Sequence, residues 1–222
     1  MNNKIYPDSG VELNEFIAKN YDKIMNTLSF GLYRGFIKKV IKQMDIQPGN
    51  SILDLGCGTG RNASLMAKYI GETGHITGLD ISELMEKQFL KKFKGKSNIN
   101  FINRRIDQPF NLNRQFDIVF ISFVIHGFPH EIRSNVIQNA LTHLKPGGIF
   151  YILDFAEFDM SKMPAFHRFI FKKIECKYAF DYIERDWKAI LKEAGFDNFD
   201  EHFYMKKYVR LLKAIKTKIH TT

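Results

Sequence analysis

The stretch Ile52–Gly60 reads Ile-Leu-Asp-Leu-Gly-Cys-Gly-Thr-Gly. Gly56, Gly58 and Gly60 let the backbone turn sharply and pass close to a ligand, where a Cβ would clash. Cys57 and Thr59 lie between them, and Asp54 stands just ahead. A dinucleotide fingerprint requires Gly-x-Gly-x-x-Gly, and Arg61 occupies the third glycine position here. Asp80 follows about 20 residues past the loop, where an acid at a strand end can accept hydrogen bonds from a ribose diol. Its bland alternative is a surface acid at a strand end. His126 lies just beyond the apolar run Ile118–Ile125. Histidine titrates near neutral pH, so His126 is the candidate general base. A structural histidine bonded to a backbone group is the competing reading.

These residues need a scaffold that brings strand ends together. Ile52, Leu53 and Leu55 fit a buried parallel strand, which is apolar on both faces. From Arg61, the positions Ala63, Leu65, Met66, Ala67 and Ile70 recur at helical spacing. Strand, glycine turn and helix make the first unit of a doubly wound α/β fold, with ligand at the strand's carboxyl end. Val11–Leu28 and Leu32–Met44 carry apolar residues at spacings of three and four, as amphipathic helices do. Further strands are expected at His75–Asp80, Ile99–Asn103, Phe116–Phe123 and Ile149–Leu153, with Phe116–Phe123 at the centre of the sheet. Helices are expected over Ser82–Phe93, with Ser82 as N-cap, and over Glu131–Leu144, Pro164–Ile174 and Ile183–Ala194. Gly195 is a C-cap. Phe199–Met205 and Tyr208–Ile215 form a closing hairpin.

The chain has 222 residues, 45% of them hydrophobic, which suits one α/β domain with a sizeable core. The two cysteines, Cys57 and Cys176, make no disulfide framework, and Cys57 lies inside the turn. A reducing cytosol is the natural compartment. Residues 1–10 lack the apolar core of a signal peptide. No cysteine cluster suggests a metal site. The net charge is +9, which favours anionic partners, yet the basic residues are scattered in small groups. Solvated helix faces explain them better than a nucleic-acid tract.

The glycine-loop string resembles motif I of the class I S-adenosylmethionine (SAM) methyltransferases. The order of elements and Leu144-Lys145-Pro146-Gly147-Gly148 resemble that superfamily over nearly the whole chain. Within it, Tyr21-Asp22-Lys23-Ile24-Met25-Asn26, Leu28-Ser29-Phe30-Gly31 and Ile121-Ser122-Phe123 resemble the ubiquinone/menaquinone C-methyltransferases. Two departures stand out. Those enzymes tend to have Arg-Asn where this chain has His126-Gly127, and the segment between the fifth and sixth strands is shorter and differently composed.

The resemblance implies a Rossmann-like, seven-stranded, mostly parallel sheet with helices on both faces and an antiparallel last strand. It implies one domain over 1–222: N-terminal helices over the cofactor site (1–45), a SAM-binding core (46–160), substrate-covering helices (161–195) and the closing hairpin (196–222). Asp54, Gly56, Cys57, Gly58, Thr59 and Gly60 would surround the methionine portion of SAM. Asp80 would hold the ribose, and Ile81 would pack on the adenine. Asp107 would accept from the adenine amino group, with the Ile106 amide contributing, although Arg105 could displace that assignment. Ser122 and Phe123 would line the floor beneath the methyl group. Tyr21 would close over SAM, and a plain core tyrosine is the alternative.

Pro164–Ile174 presents Phe166, Phe169, Ile170, Phe171 and Ile174 beside His167, Arg168, Lys172 and Lys173. An aromatic face edged by basic residues suits a lid over an apolar acceptor, or peripheral contact with an anionic membrane. The expected function is methyl transfer to a small lipophilic or aromatic acceptor such as a quinone precursor. Rival readings are a nucleic-acid or phospholipid-headgroup methyltransferase and a non-catalytic SAM-binding regulator. The acceptor atom and the oligomeric state are left open.

Overall fold

The computed structural model describes residues 32–218. The expected helix Val11–Leu28 and Tyr21 lie outside them. Seven strands form one sheet: β1 (Ser51–Leu55), β2 (His75–Asp80), β3 (Ile99–Asn103), β4 (Phe116–Ser122), β5 (Leu144–Phe155), β6 (Phe196–Tyr204) and β7 (Val209–Lys216). Their spatial order is β3-β2-β1-β4-β5-β7-β6. β1 pairs in parallel with both β2 and β4, and β7 runs antiparallel between β5 and β6. The Rossmann-like order and the antiparallel last strand are as expected.

Alternation along the strands feeds two separate cores. Ile52, Ile118, Phe120, Tyr151 and Leu153 point into one, which is covered by α1 (Leu32–Lys42), α2 (Arg61–Ile70) and α3 (Glu83–Lys92). Leu53, Leu55, Val119, Ile121, Phe150 and Ile152 point into the other. That face is covered by α4 (His130–His143), α6 (Lys177–Ile183) and α7 (Trp187–Ala194), with Phe171 of α5 (Ala165–Ile174) joining them. Helices therefore cover both faces of the sheet.

Most boundaries follow the sequence signals. Ser82 caps α3, its side chain accepting from the Met85 N–H, and Gly195 ends α7 at φ 107°. The expected helix Ile183–Ala194 starts later, as α7 at Trp187, and Ile183 instead closes a separate helix, α6, that was not expected. Asp186 restarts the helix by accepting from the Ala189 N–H at 3.0 Å. Trp187 then stacks on Tyr182 at 4.3 Å and donates its indole N–H to the Tyr182 carbonyl. The fifth strand is longer than Ile149–Leu153. Leu144 already pairs with Phe116, and the Pro146–Gly148 turn becomes an irregularity inside the strand.

One charged side chain fixes how α4 meets the site. Arg133 is fully buried. Its guanidinium donates to the carbonyls of Ile125, His126 and Tyr178 and to Asp181 Oδ2 at 2.6 Å. It also lies over the rings of Tyr182 and Trp187. The 3₁₀ turn Ile125–Gly127, α4 and α6 thus share one donor fork. Arg133→Met keeps the volume and orphans these carbonyls. We expect a loss of about 3 kcal/mol and a melting point lower by about 6–12 °C for a chain of this size. A melt within 2 °C of the parent, roughly what half a kcal/mol moves, would show that the fork contributes nothing net.

Candidate active site

The carboxyl ends of β1, β2, β4 and β5 meet where β1 and β4 lie side by side, the topological switch point at which an open α/β sheet opens its crevice. The glycine loop leaves β1 there. Gly56 and Cys57 both donate their N–H to the Leu79 carbonyl of β2, at 2.8 and 3.0 Å. Gly56, Gly58 and Gly60 all have left-handed φ, at 71°, 52° and 74°. A Cβ on Gly56 would stand 2.7 Å from Val124, and one on Gly60 would stand 2.6 Å from Phe93. At Gly58 it would meet nothing nearer than Met85 Sδ at 4.0 Å. Two of the glycines therefore serve packing and the middle one faces open space. Thr59 is buried and accepts from Lys92 Nζ at 3.3 Å. Cys57 is buried, and burial pushes its thiol up, so it stays protonated.

Two carboxylates face this loop. Asp80 accepts from the Gly58 N–H at 2.9 Å and the Ser82 N–H at 3.0 Å, which aims it at the loop. Burial raises its pKa against these backbone donors. Asp54 is 1% exposed, and its Oδ2 has no hydrogen-bond partner. Burial, reinforced by the charge of Asp80, pushes the Asp54 carboxyl up to about 7. A buried, unpartnered acid beside a second acid suits a ligand bearing positive charge and hydrogen-bond donors. SAM carries an ammonium, a sulfonium and a ribose diol, so the residues present fit it.

Ile81 follows Asp80 and is half-buried. The Ile106 side chain is buried in the core. Asn139 of α4 donates to the Ile106 and Gln108 carbonyls at 2.9 and 2.8 Å, and Asn135 donates to the Asp107 carbonyl at 3.2 Å. The Asp107 carboxylate is held by both arms of the Arg105 guanidinium. Nothing in the sequence singled out the two asparagines, because they lie more than a strand away in the chain.

At the end of β4, Ser122 is half-buried and Phe123 adopts φ 53°, strained for an aromatic residue. The Phe123 ring lies 6.4 Å from both Phe36 and Phe155. His126 sits on the next turn, 5.0 Å from the Phe155 ring. Its Nδ1 lies 2.7 Å from Asp154 Oδ1, and its Nε2 lies 3.6 Å from Glu175 Oε2. Asp154 is 1% exposed and also accepts from the Phe155 and His126 N–H groups. Burial pushes the imidazole down, but the charge and hydrogen bond of Asp154 and the charge of Glu175 outweigh it. The pKa of His126 is raised above its ordinary value. Sequence reasoning missed Asp154, although it closes an apolar strand as Asp80 does. Among the described residues no group of three or more His, Cys, Asp and Glu is placed to hold a metal ion.

Residues 8–206 match the ubiE/COQ5 methyltransferase family. A demethylmenaquinone methyltransferase of Staphylococcus carnosus is 32% identical over 204 residues, 83% of either chain. Among solved structures, a SAM-dependent methyltransferase from Aquifex aeolicus superposes with a TM-score of 0.58 at 20% identity, covering 81% of this chain and 88% of that one. Human N-acetylserotonin methyltransferase in complex with SAM gives 0.69 at 16% identity, covering 92% of this chain and 57% of that one. These two show the fold, and the family match shows the kind of enzyme. With its glycine loop, paired acids and doubly wound sheet, the chain belongs to the ubiE/COQ5 family of SAM-dependent methyltransferases.

Proposed function

We propose that this enzyme methylates a ring carbon of a quinol-type precursor with a lipophilic tail, as the name of its demethylmenaquinone methyltransferase relative suggests. The observation that carries the reading is His126, held by Asp154 at the carboxyl ends of β4 and β5 among Phe123, Phe155 and Tyr182. When bound, SAM supplies an activated methyl carbon. The chain's own residues hold, orient and shield. Asp54 and the glycine loop would hold the methionine end, and Asp80 would accept from the ribose hydroxyls. Phe123 and Phe155 offer an apolar floor to an aromatic ring. A phenolic acceptor must lose a proton to become a carbon nucleophile, and His126 Nε2 is the base within reach.

A second observation bears on the tail. Phe166 and Phe169 on α5 are 71% and 60% exposed, on one helix face. Exposed Lys172 and Lys173 border them, and exposed Met205, Lys206 and Lys207 continue the patch where the His167 ring meets Tyr208 at 6.2 Å. No described helix is long and apolar enough to cross a membrane. The patch suits docking on an anionic bilayer surface, from which a lipid-tailed acceptor would enter.

Three outcomes follow. By calorimetry the protein binds SAM and S-adenosylhomocysteine but not NAD. SAM binding strengthens as pH rises through about 7, because Asp54 must release its proton to pair with a cation. Asp80→Ala weakens SAM roughly 30- to 150-fold, the equivalent of about 2–3 kcal/mol. Flat pH dependence and parental affinity in that variant would remove both acids from the site.

With a short-tailed naphthoquinol as acceptor, His126→Asn lowers the single-turnover rate roughly 100-fold while S-adenosylhomocysteine affinity is kept. A parental rate would rule out the base.

The protein co-sediments with phosphatidylglycerol vesicles and not with phosphatidylcholine vesicles. Replacing Lys172 and Lys173 by Glu weakens the association roughly 30-fold or more, since each cation near an anionic surface contributes about 1 kcal/mol. Equal sedimentation with both lipids would dismiss the surface.

A further inference from the structure

His126 is flanked by a carboxylate on each side of its ring, from two elements far apart in sequence. Asp154 comes from the end of β5 and Glu175 from the junction of α5 and α6. Asp154 receives Nδ1–H at 2.7 Å and is itself fixed by two backbone N–H groups. That fixes the tautomer, leaving the Nε2 lone pair as the open side of the imidazole. Glu175 Oε2 stands 3.6 Å from Nε2, just beyond a hydrogen bond and within the range that catalytic contacts tighten from when substrate is bound. Every other charged or titratable group against the ring is spoken for. Arg133 is committed to Asp181 and three carbonyls, and the Tyr182 phenol, pushed well above its ordinary value by burial, stays neutral.

We propose that Asp154 is the positioning residue that holds His126 as a base and that Glu175 is the exit for the proton His126 takes. The proposal rests on His126 acting as the base. As the acceptor's O–H bond breaks, its electron pair stays on oxygen and is shared with the ring, and its proton goes to the Nε2 lone pair. Once the ring carbon is methylated, the hydrogen it carried leaves as a proton and returns to that oxygen, so one proton in all is released. Nε2–H then gives the proton to a carboxylate oxygen of Glu175, which releases it to water. Asp154 stays ionised throughout and neutralises the imidazolium between the two transfers. The position of Glu175 between α5 and α6 ties this proton path to the helices expected to cover the acceptor.

The sign of the pH effect tests the idea. In the parent the rate rises as pH climbs through a midpoint above 6.5, because both carboxylates favour the imidazolium. In Asp154→Asn the opposing effect of burial wins, so the midpoint falls below the parent's and the plateau rate drops roughly 10- to 100-fold. In Glu175→Ala the midpoint also falls, the plateau drops, and added formate restores part of the rate. Single-turnover rates from pH 5 to 9 would be measured with the short-tailed naphthoquinol, alongside thermal melts and S-adenosylhomocysteine titrations. Lowered midpoints with lowered plateaus in both variants support the proposal. A parental midpoint and plateau in either variant overturns it, even if His126→Asn is inactive. A parental rate in His126→Asn overturns the base reading and this proposal together. Should Asp154→Asn not fold, Glu175→Ala at its half-buried helix junction decides alone.

Discussion

Every functional group described here stands on one edge of the sheet, and that edge is open because β1 and β4 are neighbours whose crossovers run in opposite directions. Between two parallel strands wound the same way, a helix fills the space above the strand ends. At the reversal no helix can, and loops from both halves face each other across a crevice. Asp54 and the glycine loop approach from one half, and Phe123, His126 and Asp154 from the other. Moving any one of them away from this edge would need a change in strand order, not a change in side chain.

The two halves are charged differently. On the β1–β2 side stand two buried acids, both with pKa values raised chiefly by burial. On the β4–β5 side a histidine stands between two carboxylates. Phe123 and Phe155 pack edge to face beside that histidine.

Buried polar clamps join the loops and helices at this edge. Arg133 ties the His126 turn to α4 and α6, and Asn139 and Asn135 hold the loop after β3 by its carbonyls. These groups are fully committed within the protein, so they position without competing for ligand. Arg210 of β7, in register with Asp154, does the same by joining Glu157 just after β5 to Glu201 of β6. Breaking such clamps is costly because the partners stay buried and unpaired.

The sequence by itself determined the sheet and one half of the site. Parallel strands are apolar runs, glycine turns have few substitutes, and an acid closing a strand is visible in one dimension. That is why Ile52–Gly60, Asp80 and the order of elements were legible, along with the family they resemble. Local chemistry also misled where it was silent about long range. The helix expected from Ile183 starts only at Trp187, because the Asp186 cap and the stacking of Trp187 on Tyr182 set its first turn. Only the tertiary structure shows what surrounds His126. Its partners Asp154 and Glu175 lie 28 and 49 residues away in the chain, and Arg133 reaches its turn from the next helix. Proton chemistry depends on distances of a few ångströms between side chains, and no spacing along a chain specifies those until the strands are laid side by side.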